Sequence, residues 1–210
     1  MNGAFQDYPA RLSIDYPETS NRLTAAYRLI LILPILFVLI LLYDGGWSDG
    51  DPAESARYVG GMGIVFLPTL LMIVFRQKYP RWWFNWNLEF TRFGYRVVSY
   101  LFLLRDEYPS TDEEQMVHIE FPYPDTKNEL NQWMPLVKWF LAIPHYLVLA
   151  VLYIGVILSV IVSWFAILLT GNHPRGIFDF IVGVFRWTLR VQVYAFILTT
   201  DEYPPFALGD

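Results

Sequence analysis

The longest apolar segment of the chain, residues 139–169, contains no Asp, Glu, Lys or Arg. Only His145, Ser159 and Ser163 interrupt it with strongly polar side chains. Such a segment predicts a position inside a lipid bilayer. As one straight helix it would be roughly 46 Å long at ~1.5 Å per residue, whereas a hydrocarbon core is ~30 Å thick. The segment is therefore either one long tilted helix or a tight hairpin of two short helices.

Two further apolar segments, of about 25–43 and 58–75, flank a polar, acidic loop at 44–57. Each is long enough to cross a bilayer as a helix. Together they predict a first pair of transmembrane helices in the N-terminal half of the chain.

Shorter patterns precede and follow the apolar segments. Residues 8–17 and 116–122 alternate apolar and polar positions, which predicts two short β-strands. A lone strand leaves backbone groups unpaired, so the two are expected to pair with each other or with a neighbouring subunit. The segments of about 80–105 and 175–199 combine aromatic, apolar and arginine residues, which predicts amphipathic helices at a membrane surface.

The two halves of the sequence resemble each other. The motif LSIDYP at 12–17 matches VHIEFP at 117–122, and DEYP at 106–109 recurs at 201–204. Such agreement predicts a tandem duplication. Further matched positions are Arg28 with Lys138, Pro34 with Pro144, Arg92 with Arg186, Arg96 with Arg190 and Tyr100 with Tyr194.

The duplication favours a hairpin in the long apolar segment. In the first half, 46 residues separate the proline of the first apolar segment from the proline before the amphipathic helix, whereas the matched prolines of the second half are 30 residues apart. The deficit is close to the length of the loop 44–57, so the second half is expected to keep both helices and lose the loop. The predicted helices are about 134–153 and 156–171, with the turn near Gly155.

The distribution of basic residues agrees with four transmembrane helices. Of the fifteen Lys and Arg residues, only Arg57 lies in the predicted outer loop. The other fourteen then share one side, which the positive-inside rule assigns to the cytoplasm. With three helices Arg175, Arg186 and Arg190 would be outside. We therefore expect a multi-pass protein of the bacterial cytoplasmic (inner) membrane with both termini in the cytoplasm.

The predicted fold class is thus an all-α membrane protein, with four short transmembrane helices in two tandem hairpin repeats. Each repeat has a short cytoplasmic β-strand before its hairpin and an amphipathic interfacial helix after it. The first repeat is assigned to residues 1–110 and the second to 111–210. The composition agrees, since 55% of the 210 residues are hydrophobic and only 17% are charged, against about a quarter in soluble domains.

Arginine pairs are the main candidate site. Arg92 and Arg96 lie one helical turn apart, as do Arg186 and Arg190, so each pair projects from one helix face, where like charges repel by about 0.2–0.5 kcal/mol. The arginines are either snorkelling anchors or a site for an anion such as a lipid phosphate or a partner's carboxylate. Glu89 can offset the first pair, so the second pair is expected to depend more on an external anion.

Aromatic residues and one histidine are further candidates. Six tryptophans near the predicted membrane edges are interpreted as interfacial anchors, because the amphipathic indole ring is favoured there. They are Trp82, Trp83, Trp86, Trp133, Trp139 and Trp187. His145 is a possible intramembrane polar site. Its apolar surroundings also predict a simpler role, a hydrogen bond to a carbonyl freed by the nearby proline.

Sequence motifs for chemistry are lacking. No nucleophile elbow, phosphate-binding loop, dinucleotide fingerprint or zincin motif occurs, and the sequence contains no cysteine. The acidic pairs of the DEYP motifs lack the spacing of a calcium loop, and we interpret them as solvated ends or as partners for nearby arginines. We expect no catalytic residue, no metal and no cofactor. A nucleic-acid partner is not expected, because the arginines lie among lipid-seeking aromatics.

A set of motifs in the C-terminal half is recognisable as a group. It comprises IPHY at 143–146, WFAILLTG at 164–171, PRG at 174–176, RW at 186–187 and DEYPP at 201–205. With the strand that ends in Tyr16-Pro17, this set resembles a bacterial integral-membrane family known only as a domain of unknown function. The resemblance covers nearly the whole chain, and the first half departs from it at Arg81-Trp82-Trp83. It implies a multi-spanning inner-membrane protein and supplies no catalytic residues.

Three functions are compatible with these features. The favoured one is a non-enzymatic structural or accessory protein that contacts membrane lipids and works through homo-oligomerisation or within a larger membrane complex. The alternatives are a lipid-binding or small-solute pathway or pore protein, and an enzyme acting on a lipid headgroup. The first is favoured because the sequence has no catalytic constellation and few polar groups in its apolar segments.

Overall fold

The computed structural model describes residues 8–37, 61–111 and 113–209 and is mostly helical. The helices are α1 (Arg22–Leu31), α2 (Gly61–Arg76), α3 (Arg81–Leu101), α4 (Pro135–Leu141), α5 (Ile143–Thr170) and α6 (Arg175–Gln192), and the strands are β1 (Arg11–Ile14) and β2 (Val117–Glu120). A π-helical turn, Val193–Ile197, extends α6. The predicted loop 44–57 and parts of both N-terminal apolar segments lie outside the described residues.

The two strands pair with each other, which confirms the prediction that neither stands alone. They are antiparallel, with Arg11 opposite Glu120 and Ile14 opposite Val117. Alternation sends one set of side chains into the core and the other set to the surface. The buried set is Leu12, Ile14, Val117 and Ile119, and the exposed set is Arg11, Ser13, His118 and Glu120.

The described elements form three layers, with α3 and α6 in the middle. On one side of this layer, α6 packs against β1 and α3 against β2. On the other side, α5 packs against α6, and α1 and α4 pack against α5. The outer layer therefore consists of α1, α2, α4 and α5, while the sheet forms the opposite, polar surface.

By length and composition alone, two of the described helices could cross a membrane, namely α5 and α6 with its extension. Their surroundings differ. Only 17% of the most apolar 18-residue window of α5 is buried, against 72% of the corresponding window of α6. Helix α6 is therefore the central core helix of the fold, whereas α5 presents most of its apolar surface to the exterior.

Helix α5 is continuous from Ile143 to Thr170. The predicted hairpin with a turn near Gly155 is therefore wrong, and four transmembrane helices are not supported by the described residues. A single glycine costs only about 1 kcal/mol in a helix, whereas breaking the backbone hydrogen bonds in apolar surroundings costs several kcal/mol. Gly155 faces α6 within this continuous helix, and a Cβ atom there would meet Cζ of Phe180 at 3.4 Å, an ordinary van der Waals distance.

Pro34 and Pro144, the matched prolines of the two halves, each follow a break in an outer helix. The break lies two residues before the proline in both cases. The helix interrupted at Ile32 resumes over 33–37, and α4 gives way to α5 at Ala142. Each interrupting residue still donates its N–H four residues back, to Arg28 O and Lys138 O, at 2.9 Å. The break follows from the missing N–H and the bulky ring of proline. It leaves Arg28 and Lys138 in the last turn before each break.

The C-terminal tail crosses α6 at Gly183. A Cβ atom at this position would lie 2.9 Å from the carbonyl oxygen of Leu208 and 3.0 Å from its Cβ. Two backbones can approach this closely only where one residue has no side chain.

We predict that Gly183→Ala displaces the tail and lowers the free energy of unfolding by about 1–3 kcal/mol, the usual cost of overpacking. Gly176→Ala is the matched control on the same helix, because a Cβ there meets nothing within 4 Å. Thermal unfolding in detergent and limited proteolysis of residues 203–209 would measure both effects. Equal stability and equal tail protection in the two variants would contradict the close contact.

Candidate functional site

Two cations are buried beneath the outer helices, one in each half of the chain. The side chain of Arg28 is 2% exposed and that of Lys138 is not exposed at all. Such residues are almost never fully buried unless they are paired. Their partners therefore define the most constrained polar sites of the molecule.

Arg28 is held by the end of α3. Its Nη1 donates to the carbonyl oxygens of Tyr100 at 2.9 Å and Arg105 at 3.1 Å, and its Nη2 binds the carboxylate of Asp106. The guanidinium carbon lies 4.5 Å from the centre of the Tyr100 ring, within the range of a cation–π interaction. Burial raises the pKa of the Tyr100 hydroxyl, so the ring stays neutral beside the guanidinium.

Lys138 is held in the same way by the end of α6. Its Nζ donates to the carbonyl oxygen of Thr200 at 2.7 Å and lies 2.6 Å from a carboxylate oxygen of Asp201. The ring centre of Tyr194 lies 5.3 Å from Nζ. Burial lowers the pKa of Lys138, and the carboxylate of Asp201 opposes that shift.

Each carboxylate also fixes the chain that enters an outer helix. Asp106 accepts a hydrogen bond from the backbone N–H of Asn21 at 2.7 Å, and Asp201 accepts one from that of Asn131 at 2.6 Å. The chain reaches these positions through left-handed residues, Leu103 and Leu198, with φ of 65° and 64°. Non-glycine residues adopt this conformation only where the surrounding structure requires it.

The two clusters were not among the sites predicted from the sequence. Arg28 and Lys138 were matched positions of the two halves, and the DEYP carboxylates were interpreted as solvated ends or as partners for nearby arginines. The structure gives Asp106 that role beside Arg28, and a lysine replaces the arginine beside Asp201. The signal that could have revealed them is the placement of a basic residue six positions before each matched proline.

The four arginines of the predicted anion site bind backbone carbonyl groups. Arg92 donates from Nε to Ile119 O at 3.0 Å, and Arg186 donates from Nε to Leu12 O at 2.9 Å. Each thus holds a strand of the sheet. One turn further along the helix, Arg96 donates to Ser110 O at 2.9 Å and Arg190 to Gly209 O.

These carbonyl groups provide the hydrogen-bond acceptors for the arginines that were predicted to come from an external anion. The surroundings of the first pair are also acidic, since an open groove of about 530 Å³ beside it contains more carboxylates than cations. Its charged and ionisable lining residues are Glu89, Arg92, Arg96, Glu113, Glu114, His118 and Glu120. Binding of a lipid phosphate by the arginines stays a prediction, but the second pair already has carbonyl acceptors in the same chain and does not depend on an external anion for them.

His145 lies in an aromatic cluster between α5, α6 and the C-terminal tail. Its ring stacks on Phe206 at a centroid distance of 3.9 Å, and its Nδ1 accepts a hydrogen bond from Trp187 Nε1 at 3.0 Å. The predicted hydrogen bond to a freed backbone carbonyl is therefore wrong, because Nδ1 accepts the indole N–H and Nε2 donates to no carbonyl among the described residues. A neutral imidazole that accepts at Nδ1 carries its proton on Nε2, and Nε2 is buried without a partner among the described residues.

The six tryptophans separate into exposed and packed positions. Trp82, Trp86, Trp133 and Trp139 are exposed, as expected of interfacial anchors. Trp83 is half-buried and donates to Thr69 Oγ1 at 2.8 Å. Trp187 is only 5% exposed, so its interpretation as an interfacial anchor is wrong. It belongs to the face of α6 that packs against α5, where its indole N–H donates to His145.

The arrangement is suited to fastening segments of the chain. The cations of the two clusters are buried against backbone carbonyls and tyrosine rings, while the carboxylates of Asp106 and Asp201 are 28% and 22% exposed. Within the part of the chain that the structure describes, no group of three His, Asp or Glu side chains could hold a metal ion. The chemistry of these clusters is thus that of buried ion pairs.

We predict that Asp201→Asn lowers the free energy of unfolding at pH 7 by about 3 kcal/mol, because it leaves the ammonium of Lys138 buried and uncompensated. Without the carboxylate, the pKa of Lys138 in the folded state falls further below its value in the unfolded chain. Unfolding then takes up a proton, so stability rises with pH. The deficit of the variant should therefore shrink between pH 7 and pH 9.5 in chemical unfolding followed by circular dichroism.

Asp106→Asn is the matched control for this experiment. Its partner Arg28 cannot lose its charge in this pH range, so the deficit of this variant should not change with pH. The same pH dependence in both variants would show that the buried ammonium is not its source.

Comparison with known proteins adds one finding. Residues 134–207 match a family model described as a domain of unknown function, DUF4389. The match includes α4, α5, α6, Lys138, His145 and Asp201. No curated protein and no solved structure matches the chain. The chain therefore carries a DUF4389 domain over residues 134–207.

Proposed function

We propose that this chain is a non-enzymatic membrane protein that acts as a structural or accessory subunit. The observation that carries the proposal is the exposed apolar surface of the outer layer. On α5 alone, Leu147, Val151 and Leu169 are each more than two thirds exposed, at 67%, 68% and 77%. Large contiguous apolar surfaces of this kind mark membrane or protein interaction sites.

The polar groups of the fold support a structural role over a catalytic one. The buried cations Arg28 and Lys138 bind carboxylates and carbonyl groups of the same chain. Buried pairs of this kind hold segments in register and present no free nucleophile or general base. No observation favours the headgroup enzyme or the solute pathway over the accessory role.

The proposal includes a tandem duplication, of which the matched family domain is the second copy. Three pairs of contacts support it: the two cation clusters, the two arginine–strand hydrogen bonds, and the two stacked arginine–tyrosine pairs. In the two arginine–tyrosine contacts, the guanidinium carbon of Arg81 lies 5.1 Å from the ring centre of Tyr123, and that of Arg175 lies 4.9 Å from the ring centre of Tyr16. A duplication accounts for these matched partners, because both copies would inherit them.

We further propose that both termini lie on the cytoplasmic side of the membrane. The support is that fourteen of the fifteen basic residues lie outside the loop 44–57, and the positive-inside rule places them in the cytoplasm when no crossing helix separates them. The multi-pass arrangement expected from the sequence would need α5 and α6 to cross the bilayer, and with a continuous α5 it would separate Arg175 from Lys138.

An accessory role predicts assembly, because four outer helices give each copy little interior that is shielded from lipid. In native mass spectrometry of the protein released from nanodiscs, we expect either two or more copies or an additional protein subunit. A low-concentration sample controls for non-specific association. A monomer with no co-purifying protein in both detergent and nanodiscs would contradict the proposal.

A further inference from the structure

We infer that α5 lies in the plane of the membrane, immersed in one leaflet, and that the helices and strands of the described residues do not cross the bilayer. The partner of the apolar surface is thus the acyl region of a single leaflet. The inference rests on the proposed membrane function and defines how the protein meets the lipid. It follows from the directions of three neighbouring elements and from the positions of the charges around them.

Helices α5 and α6 run antiparallel and are in contact over residues 145–155 of α5 and 180–188 of α6. Near the start of α5, His145 accepts the hydrogen bond of Trp187, and further along Tyr153 shares one of 3.0 Å with Thr188. Gly155 then faces Phe180. A tilt that makes α5 cross the bilayer therefore makes α6 cross it as well.

Strand β1 and its flanks run along the opposite side of α6. Tyr8 donates to Arg190 O at 3.4 Å, and Tyr16 packs its ring on Phe178 at 5.1 Å. Residues 8–16 thus follow α6 over twelve of its residues, about 18 Å of helix. The sheet, α6 and α5 share one long axis.

A crossing arrangement would therefore carry the sheet through the hydrocarbon with its polar face outward. That face includes the exposed side chains of Arg11, His118 and Glu120. Charged residues at the centre of a bilayer cost about 2.5–3.5 kcal/mol each on insertion scales. With the shared axis in the membrane plane, the same side chains stay in water and no such cost arises.

Basic residues at both ends of α5 agree with the in-plane orientation. At its C-terminal end lie exposed Arg22, whose Nε would be 3.3 Å from a Cβ at Gly171, and exposed Arg175. At its N-terminal end, Gln132 binds the last turns of α2, where Arg76 and Lys78 are exposed. A crossing helix would put these two groups on opposite sides of the membrane. In the membrane plane both groups reach the headgroups of one leaflet.

The immersed surface contains no charge. Its members on α5 follow one another at helical spacing over the length of the helix and share one side of it. They are Leu147, Val151, Ile154, Leu158, Val162, Phe165 and Leu169, all exposed. Exposed Trp133 and Trp139 precede α5 in the chain, and indole rings favour the boundary between acyl chains and headgroups.

Because the sequence has no cysteine, single cysteines can report depth along this surface. We would place nitroxide labels by Leu147→Cys, Leu158→Cys and Leu169→Cys, which lie eleven residues apart on one side of α5, and by Ser13→Cys on the exposed sheet face. The labelled proteins would be reconstituted in vesicles of phosphatidylethanolamine and phosphatidylglycerol. Relative accessibility to oxygen and to a water-soluble nickel chelate would then give the depth of each label.

The in-plane orientation predicts similar depths for the three α5 labels, within about 5 Å, and full nickel accessibility at position 13. A crossing helix predicts that position 158 is deeper than both ends, since eleven residues span about 16 Å. That result would overturn the inference while leaving membrane embedding intact. Nickel accessibility at all four positions would instead reject the proposed membrane function. All four sites are exposed, so circular dichroism should show unchanged helix content.

Discussion

Each half of this chain depends on a guanidinium group supplied by the other half. Arg186 in α6 donates to the carbonyl of Leu12 in β1, and Arg92 in α3 donates to that of Ile119 in β2. A two-stranded sheet is at best marginally stable in water and presents unpaired carbonyl groups at its edges. The two arginines satisfy such groups and join the sheet to the middle helices. The side of each middle helix that contains these arginines thus binds the sheet, and the opposite side of each helix can be apolar.

The same division explains why the outer layer can be so apolar. Its two buried cations, Arg28 and Lys138, point inward to the ends of α3 and α6, where Asp106 and Asp201 neutralise them. Each carboxylate also binds the backbone that leads into an outer helix. The outer helices are therefore attached through cations that are themselves buried. The outer helices can therefore be attached to the rest of the fold and still present an apolar surface to lipid.

The sequence predicted the elements whose signal is local. Alternation gave the two strands, and the spacing of Arg92, Arg96, Arg186 and Arg190 placed each pair on one helix face, because periodicity depends only on neighbouring residues. It did not predict what those arginines bind, since Leu12 is 174 residues from Arg186. The ion pairs were not predicted for the same reason. Trp187 was assigned to the membrane edge because its burial against His145 has no signature in the local sequence pattern.

The error over the hairpin has a physical explanation that also bears on the membrane. In the proposed duplication, loss of the loop between two apolar helices has two possible outcomes: a tight turn, or fusion into one helix, which keeps every backbone hydrogen bond. Helix α5 is attached to the rest of the fold near both of its ends. The first end follows α4, which Lys138 fastens to Asp201, and the second end is fastened where Ser20 N–H donates to Gly171 O at 2.8 Å. Ser20 follows β1 by six residues, and Asp201 follows the π-helical turn by four residues. Both ends of α5 are thus held by segments of the same folded unit, which is the arrangement that the proposed in-plane orientation requires.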